Sequence, residues 1–181
     1  MGKKVIMKNW TKKNIFLSSL LTVLGIICFP VNLLVITGVI KPGFNQFAYW
    51  IGWIIWLLGM LLVLSPMIMF PHKGGVAKGK AFVHTTILVN TGIYSVVRHP
   101  QYLGGIFAIF VTTILWYPHW LFVVLGIFGA VIIFLSSKEE DQRLMQKFGD
   151  NYKEYMQKVP GMNIFLGFIR YNKHRIKKDQ L

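Results

Sequence analysis

At 181 residues, 54% of them hydrophobic and 14% charged, with a mean hydropathy of +0.52, this chain cannot be an ordinary soluble domain. Its uncharged runs, residues 14–40, 42–71 and 101–137, each exceed the ~20 apolar residues that a spanning helix needs. The net charge of +14 does not point to nucleic acid, because the basic residues border apolar segments, as they do when they face anionic headgroups, and little soluble face remains for a basic patch.

The first apolar run lacks a short core followed by a small-residue cleavage site, so it reads as a retained helix over residues 15–40 rather than a signal peptide. Cys28, the only cysteine, lies inside it, which excludes a disulfide framework and a cysteine metal cluster; no metal site is read. A second helix is expected over residues 47–70, joined to the first by the turn residues Lys41, Pro42, Gly43, Phe44 and Asn45, since proline and glycine stop one helix and return the chain.

Residues 101–137 hold 37 uncharged positions interrupted by Tyr117, Pro118 and His119. That length suits two helices of about 16 residues, each reaching ~24 Å at 1.5 Å per residue, short of a ~30 Å hydrocarbon core. Leu144, Phe148, Tyr152 and Tyr155 then recur at helical spacing among charged neighbours, which predicts an amphipathic helix over residues 138–158, continuing out of the fourth span and kinked near Gly149. Residues 162–169 are apolar but too short to cross and read as interfacial, and the basic tail from Tyr171 to Leu181 reads as mobile.

The fold class is therefore all-α: a polytopic membrane protein with four to five transmembrane helices and a cytoplasmic C-terminal amphipathic helix. It forms one domain over 1–181, made of an N-terminal hairpin (1–71), a catalytic region (72–160) and an interfacial segment with a basic tail (161–181). Lys3, Lys4, Lys8, Lys12 and Lys13 precede the first helix, Lys73, Lys78, Lys80 and Arg98 fill the central loop, and ten basic residues follow the fourth helix, whereas only Lys41 lies on the other side. By the positive-inside rule both termini and the central loop face the cytoplasm.

All six acidic residues lie at or after position 139, and Glu139, Glu140 and Asp141 stand together where the fourth span ends. One reading is a solvated helical turn. The other is that one or two of these carboxylates turn inward to meet a cation, since ~100° per residue prevents all three from facing one way. Across the central loop stand Leu88, Val89, Thr91, Gly92, Tyr94, Arg98, His99 and Tyr102, with Pro100 suited to the first turn of the third span and His99 as its entrance residue. This cluster either anchors the helix to headgroups or offers a cation and helix-start N–H groups to a carboxylate or phosphate. A hairpin returns its ends to one surface, so Arg98, His99 and Tyr102 are expected near Glu139 and Glu140, a lining suited to a zwitterion bearing an adenine-like ring.

The ordered series Leu88, Val89, Gly92, Tyr94, Arg98, His99, Pro100, Gln101, Tyr102, Glu139, Glu140, Leu144, Phe148, Gly149, Tyr152, Tyr155, Val159 and Pro160 resembles the C-terminal region of the isoprenylcysteine carboxyl methyltransferase family, with related patterns in phospholipid methyltransferases. It covers residues 86–160. The resemblance implies a membrane-embedded methyltransferase using S-adenosylmethionine. Leu88, Val89, Tyr94, His99, Pro100, Gln101, Tyr102 and Glu140 fall on cofactor-binding positions, and their motif neighbours Arg98 and Glu139 are read as the catalytic pair. Eukaryotic prenylcysteine enzymes carry a substrate-linked arginine four residues before the glutamate, where this chain has Ser136, a departure that bears on the acceptor and not on the cofactor. The expected reaction is methylation of the carboxylate of a lipophilic acceptor, such as a prenylated cysteine, that enters from the bilayer. The alternatives are a phospholipid amine N-methyltransferase and a non-catalytic membrane protein.

Overall fold

The computed structural model describes residues 2–41, 43, 46–76 and 85–179. Lys78 and Lys80 of the central loop, and Pro42, Phe44 and Asn45 of the expected first turn, lie outside the described residues, as does Leu181. Among the described residues there are helices and no strand: α1 (Gly2–Ile36), α2 (Gln46–Lys73), a 3-10 turn (Gly92–Ser95), α3 (Pro100–Gly105), a π-helical turn (Ile106–Val111), α4 (Thr112–Trp116), α5 (Trp120–Phe148), α6 (Asp150–Lys158) and α7 (Ile164–Asp179). Three segments are long and apolar enough to cross a membrane: Phe16–Ile36, Gln46–Lys73 and Trp120–Phe148. The joined run Pro100–Trp116 is apolar but shorter, as expected for the third segment.

The chain divides into two compact units, Met1–Gly59 with Gly105–Glu140, and Met60–Gly104 with Asp141–Leu181. In the first unit the π turn alters the backbone register, which opens carbonyls to side-chain donors. Asn32 of α1 meets them: its Nδ2 donates toward the carbonyls of Ala108 and Ile109 and toward Thr112 Oγ1, all at 3.2 Å. Thr112 Oγ1 in turn donates to Ala108 O at 2.7 Å, and Thr113 Oγ1 lies 2.9 Å from Asn32 Oδ1. Asn32, Ala108, Thr112 and Thr113 are buried, and the side-chain polar atoms of Asn32 and the two threonines are all paired there. Trp116, also buried, donates from Nε1 to Tyr49 O at 3.2 Å. Gly52 makes that approach possible, because a Cβ there would sit 2.2 Å from the indole nitrogen.

The second unit has a core of Tyr152, Tyr155 and Val159, with Leu88, Leu144, Met145, Phe148 and Met156 packed on it. The amphipathic stripe expected from the sequence supplies that core. Its predicted kink is present: Gly149, at φ 59° and ψ −134°, separates α5 from α6, a conformation open to glycine and strained for other residues. Tyr171 to Asp179, read from the sequence as a mobile tail, instead continue α7. Asn163 caps this helix, its Oδ1 accepting from Leu166 N at 2.9 Å, which satisfies one of the free donors of the first turn.

Candidate active site

Arg98 and His99 directly precede Pro100, which opens α3 as the sequence predicts. Their backbone N–H groups are already committed: Arg98 N donates to Pro160 O and His99 N to Gly161 O, both at 3.0 Å. The anion-binding capacity expected at this helix start therefore does not come from these two amides. It rests with the side chains.

Those side chains converge on one carboxylate oxygen. Asp141 Oδ1 accepts from Arg98 Nη1 at 2.9 Å, from His99 Nε2 at 2.7 Å and from Tyr152 OH at 2.7 Å. An ionised carboxylate only accepts, so His99 presents Nε2–H to it. The guanidinium and carboxylate are both buried, and they cancel one another's charge where either alone would be costly. Arg98 Nε is buried with no hydrogen-bond partner among the described residues, so the cluster retains one uncommitted charged donor.

The surrounding phenols stay neutral near pH 7. Burial raises Tyr94 to about 12, partly offset by a hydrogen bond with Ser65. Tyr152 is raised by burial and by donating to Asp141, and Tyr155 by burial. Tyr155 OH donates to Tyr94 O at 2.6 Å, which ties α6 to the 3-10 turn. Tyr94 packs its ring against Phe70 at 5.3 Å.

The residues singled out in the sequence fall in different settings. Val89, Tyr94, His99 and Pro100 are buried; Leu88, Gln101 and Tyr102 are half-buried, with the Tyr102 ring edge-on to His99 at 5.6 Å. Arg98 and His99 are brought together with Asp141 and Tyr152. Glu139, buried, and Glu140, half-buried, close the portion of α5 that belongs to the first unit, and Asp141 opens the portion that belongs to the second. Of the three adjacent carboxylates, the one that receives Arg98 and His99 is the one absent from the residues predicted for the site. A signal was present: Asp141 lies three residues before Leu144, so the stripe Leu144, Phe148, Tyr152, Tyr155 extends back onto it, and a stripe that buries two phenols calls for acceptors on the same face.

Beside the core of the second unit opens a cleft of about 660 Å³ whose lining includes Leu88, Ser95, Tyr155, Lys158, Val159 and Arg170. That volume is in the range of small-molecule sites.

Among the described residues the chain is helical, with three membrane-length apolar helices and a buried ion pair on the last of them, which defines the class of a helical membrane protein with a charged interior cluster. Residues 47–151, more than half of the chain, match the family described as Phospholipid methyltransferase, and the chain belongs to that family. It is an integral membrane protein. Among known proteins it is similar to a methanethiol S-methyltransferase of Pseudomonas deceptionensis, 25% identical over 116 residues, which are 61% of this chain and 41% of that one. A methanethiol S-methyltransferase of Pseudomonas sp. (strain GM41(2012)) is 30% identical over 112 residues, 61% of this chain and 42% of that one. Methanethiol S-methyltransferase 1 of Bradyrhizobium diazoefficiens is 36% identical over 67 residues, 37% of this chain and 22% of that one. The chain thus matches less than half the length of each of these relatives. No solved structure matches.

Proposed function

We propose that this protein is an S-adenosylmethionine-dependent methyltransferase that acts at the cytoplasmic face of a membrane on a small apolar or lipid-borne acceptor, with a thiol as the first acceptor class. The observation that carries the reading is the Arg98–His99–Asp141–Tyr152 cluster inside a chain that belongs to the phospholipid methyltransferase family.

The residues fit the cofactor on one point of their own chemistry: Arg98 keeps a buried, unpartnered Nε–H, the donor that an amino-acid carboxylate would satisfy. In this reading Arg98 binds that carboxylate, Gln101 and Tyr102 contact the remainder of the amino-acid moiety, and Leu88 and Val89 offer apolar surface to the adenine ring. When bound, S-adenosylmethionine supplies a methyl group activated on a positively charged sulfur. Asp141 holds the Arg98 and His99 side chains against rotation, and that positioning matters because in-line displacement takes much of its rate from geometry, up to ~7–11 kcal/mol in favourable cases. In this reading His99, with Nε2–H directed at Asp141, uses Nδ1 to take a proton from a thiol or ammonium acceptor.

The relatives' printed activity favours a sulfur acceptor, and so does Ser136 at the position where prenylcysteine enzymes carry an arginine. The family description favours a phospholipid amine as the second reading. The lipophilic carboxylate implied by the isoprenylcysteine resemblance ranks third, because Ser136 cannot pair with it. Four spans with both termini cytoplasmic, as the basic residues indicate, put the cluster where a polar cofactor arrives from water and an apolar acceptor from lipid.

The test is transfer of an isotopically labelled methyl group by the protein in nanodiscs, with a thiol, a phosphatidylethanolamine and a prenylated cysteine offered side by side. The products separate chemically: a volatile thioether, an alkali-stable methylamine and an alkali-labile ester. Label in the thioether is the expected result. Label in none of the three would overturn the reading.

A further inference from the structure

Helix α7 packs on the protein by one narrow edge. At Gly167 a Cβ would lie 2.0 Å from the Val96 carbonyl oxygen, so the helix backbone itself touches the segment that leads to Arg98 and His99. At ~100° per residue, Phe165, Ile169 and Ile176 face away from Gly167, with Phe168 at the edge of the same sector, which Asn172 and the terminal position Asp179 share. The four apolar side chains are exposed, Phe165 at 81% and Ile169 at 66%. Arg175 and Lys173 border that sector on its two flanks, both exposed.

An outward face of aromatic and branched aliphatic side chains needs an occupant. Arg170, Lys173, Arg175, Lys177, Lys178 and Asp179 in a helix of 16 residues rule out a crossing. A second copy of the chain would set flanking lysine and arginine against their like, in a protein of net charge +14. A bilayer surface is already at hand, since three helices of the same chain have membrane-spanning character, and cations beside an apolar sector match anionic headgroups.

We propose that α7 is an in-plane anchor: its apolar sector enters the boundary between headgroups and acyl chains, and Lys173 and Arg175 engage the phosphates of anionic lipids. Through Gly167 the anchor steadies the Val96–His99 segment. This assignment stands apart from the methyl-transfer reading and survives its failure.

The test uses the full chain in nanodiscs of phosphatidylcholine alone or with phosphatidylglycerol. Cys28→Ala provides a thiol-free background for spin labels at Phe165→Cys and Ile169→Cys, with exposed Lys153→Cys on α6 as the control. In anionic discs the first two labels are expected to become accessible to oxygen and shielded from a water-soluble nickel chelate, while the control stays accessible to the chelate. Removing Lys173 and Arg175 together, as Gln, should lower the docked-to-undocked ratio about fivefold per cation. The unlabelled wild-type chain gives a second readout, slower tryptic cleavage after Lys173 and Arg175 in anionic discs. Labels open to the chelate in both lipids would overturn the proposal. So would shielding that appears only as protein concentration rises in detergent, which would assign the face to a second copy.

Discussion

Each unit contains a buried polar knot that ties together distant stretches of chain, and the two knots use different chemistry. In the first, Asn32 joins residues about 80 positions away through an amide and two hydroxyls; in the second, Asp141 joins Arg98, 43 positions away, through full charges. The neutral knot lies on α1 within Phe16–Ile36, a segment of membrane-spanning character, whereas Asp141 of the charged one lies toward the C-terminal end of Trp120–Phe148, past the end of the uncharged run at Ser137. An amide can be satisfied by a few hydrogen bonds at membrane depth, but a charge there carries a much larger desolvation cost. The neutral knot does structural work, supporting a π turn. The charged knot also keeps a spare donor, Arg98 Nε, the kind of surplus that binding requires.

The contrast can be broken by mutation. Asp141→Ala leaves the Arg98 guanidinium buried without its counter-charge, and a loss of about 3–5 kcal/mol is expected, measured as a shift in denaturant unfolding in mild detergent. Asn32→Ala should cost less, about 1–3 kcal/mol, because only neutral groups lose their partners. If Asn32→Ala proved the more damaging of the two, the distinction between a neutral and a charged knot would fail. Gly167→Ala forces a methyl group onto the Val96 carbonyl oxygen and should cost about 1–3 kcal/mol, with protection from hydrogen exchange lost first along residues 96–99.

The smallest effect is an alkaline one confined to the second unit. Tyr94 is raised to about 12 and Tyr152 and Tyr155 are also raised, so each phenol loses its proton less readily when folded than at the ordinary value near 10. Their contribution to stability is complete below pH ~10 and is lost as pH rises through the folded values. Unfolding midpoints should hold constant from neutrality to pH ~10 and fall beyond it; Tyr152→Phe, which removes the hydroxyl that titrates against Asp141, should flatten part of that fall.

The helices were legible because their signals are strong. Uncharged runs located α1, α2 and α5, Pro100 marked the start of α3, and Gly149 marked the break before α6. The stripe Leu144, Phe148, Tyr152, Tyr155 located the core of the second unit. The choice among Glu139, Glu140 and Asp141 was legible only through the stripe that Asp141 extends, because residues one position apart differ by ~100° around a helix, and it is the partner side chains that show which of them receives Arg98 and His99. The helical continuation of Tyr171 to Asp179 was hidden for another reason: a basic, polar stretch reads as a solvated tail, and nothing in its own pattern marks it as the extension of the helix that Gly167 seats against Val96. The π turn and its Asn32 support left no mark in an evenly apolar run.

The most direct test is equilibrium binding of labelled S-adenosylmethionine to the protein in nanodiscs, wild type against Asp141→Asn, at a temperature where circular dichroism shows both folded, with Lys153→Gln as a surface control. Saturable binding by the wild type and the control, weakened about tenfold or more in Asp141→Asn, a difference of ~1.4 kcal/mol, is the result predicted for a carboxylate that positions Arg98 and His99 on the cofactor. Binding that is absent from the wild type, or unchanged by the substitution, would contradict it.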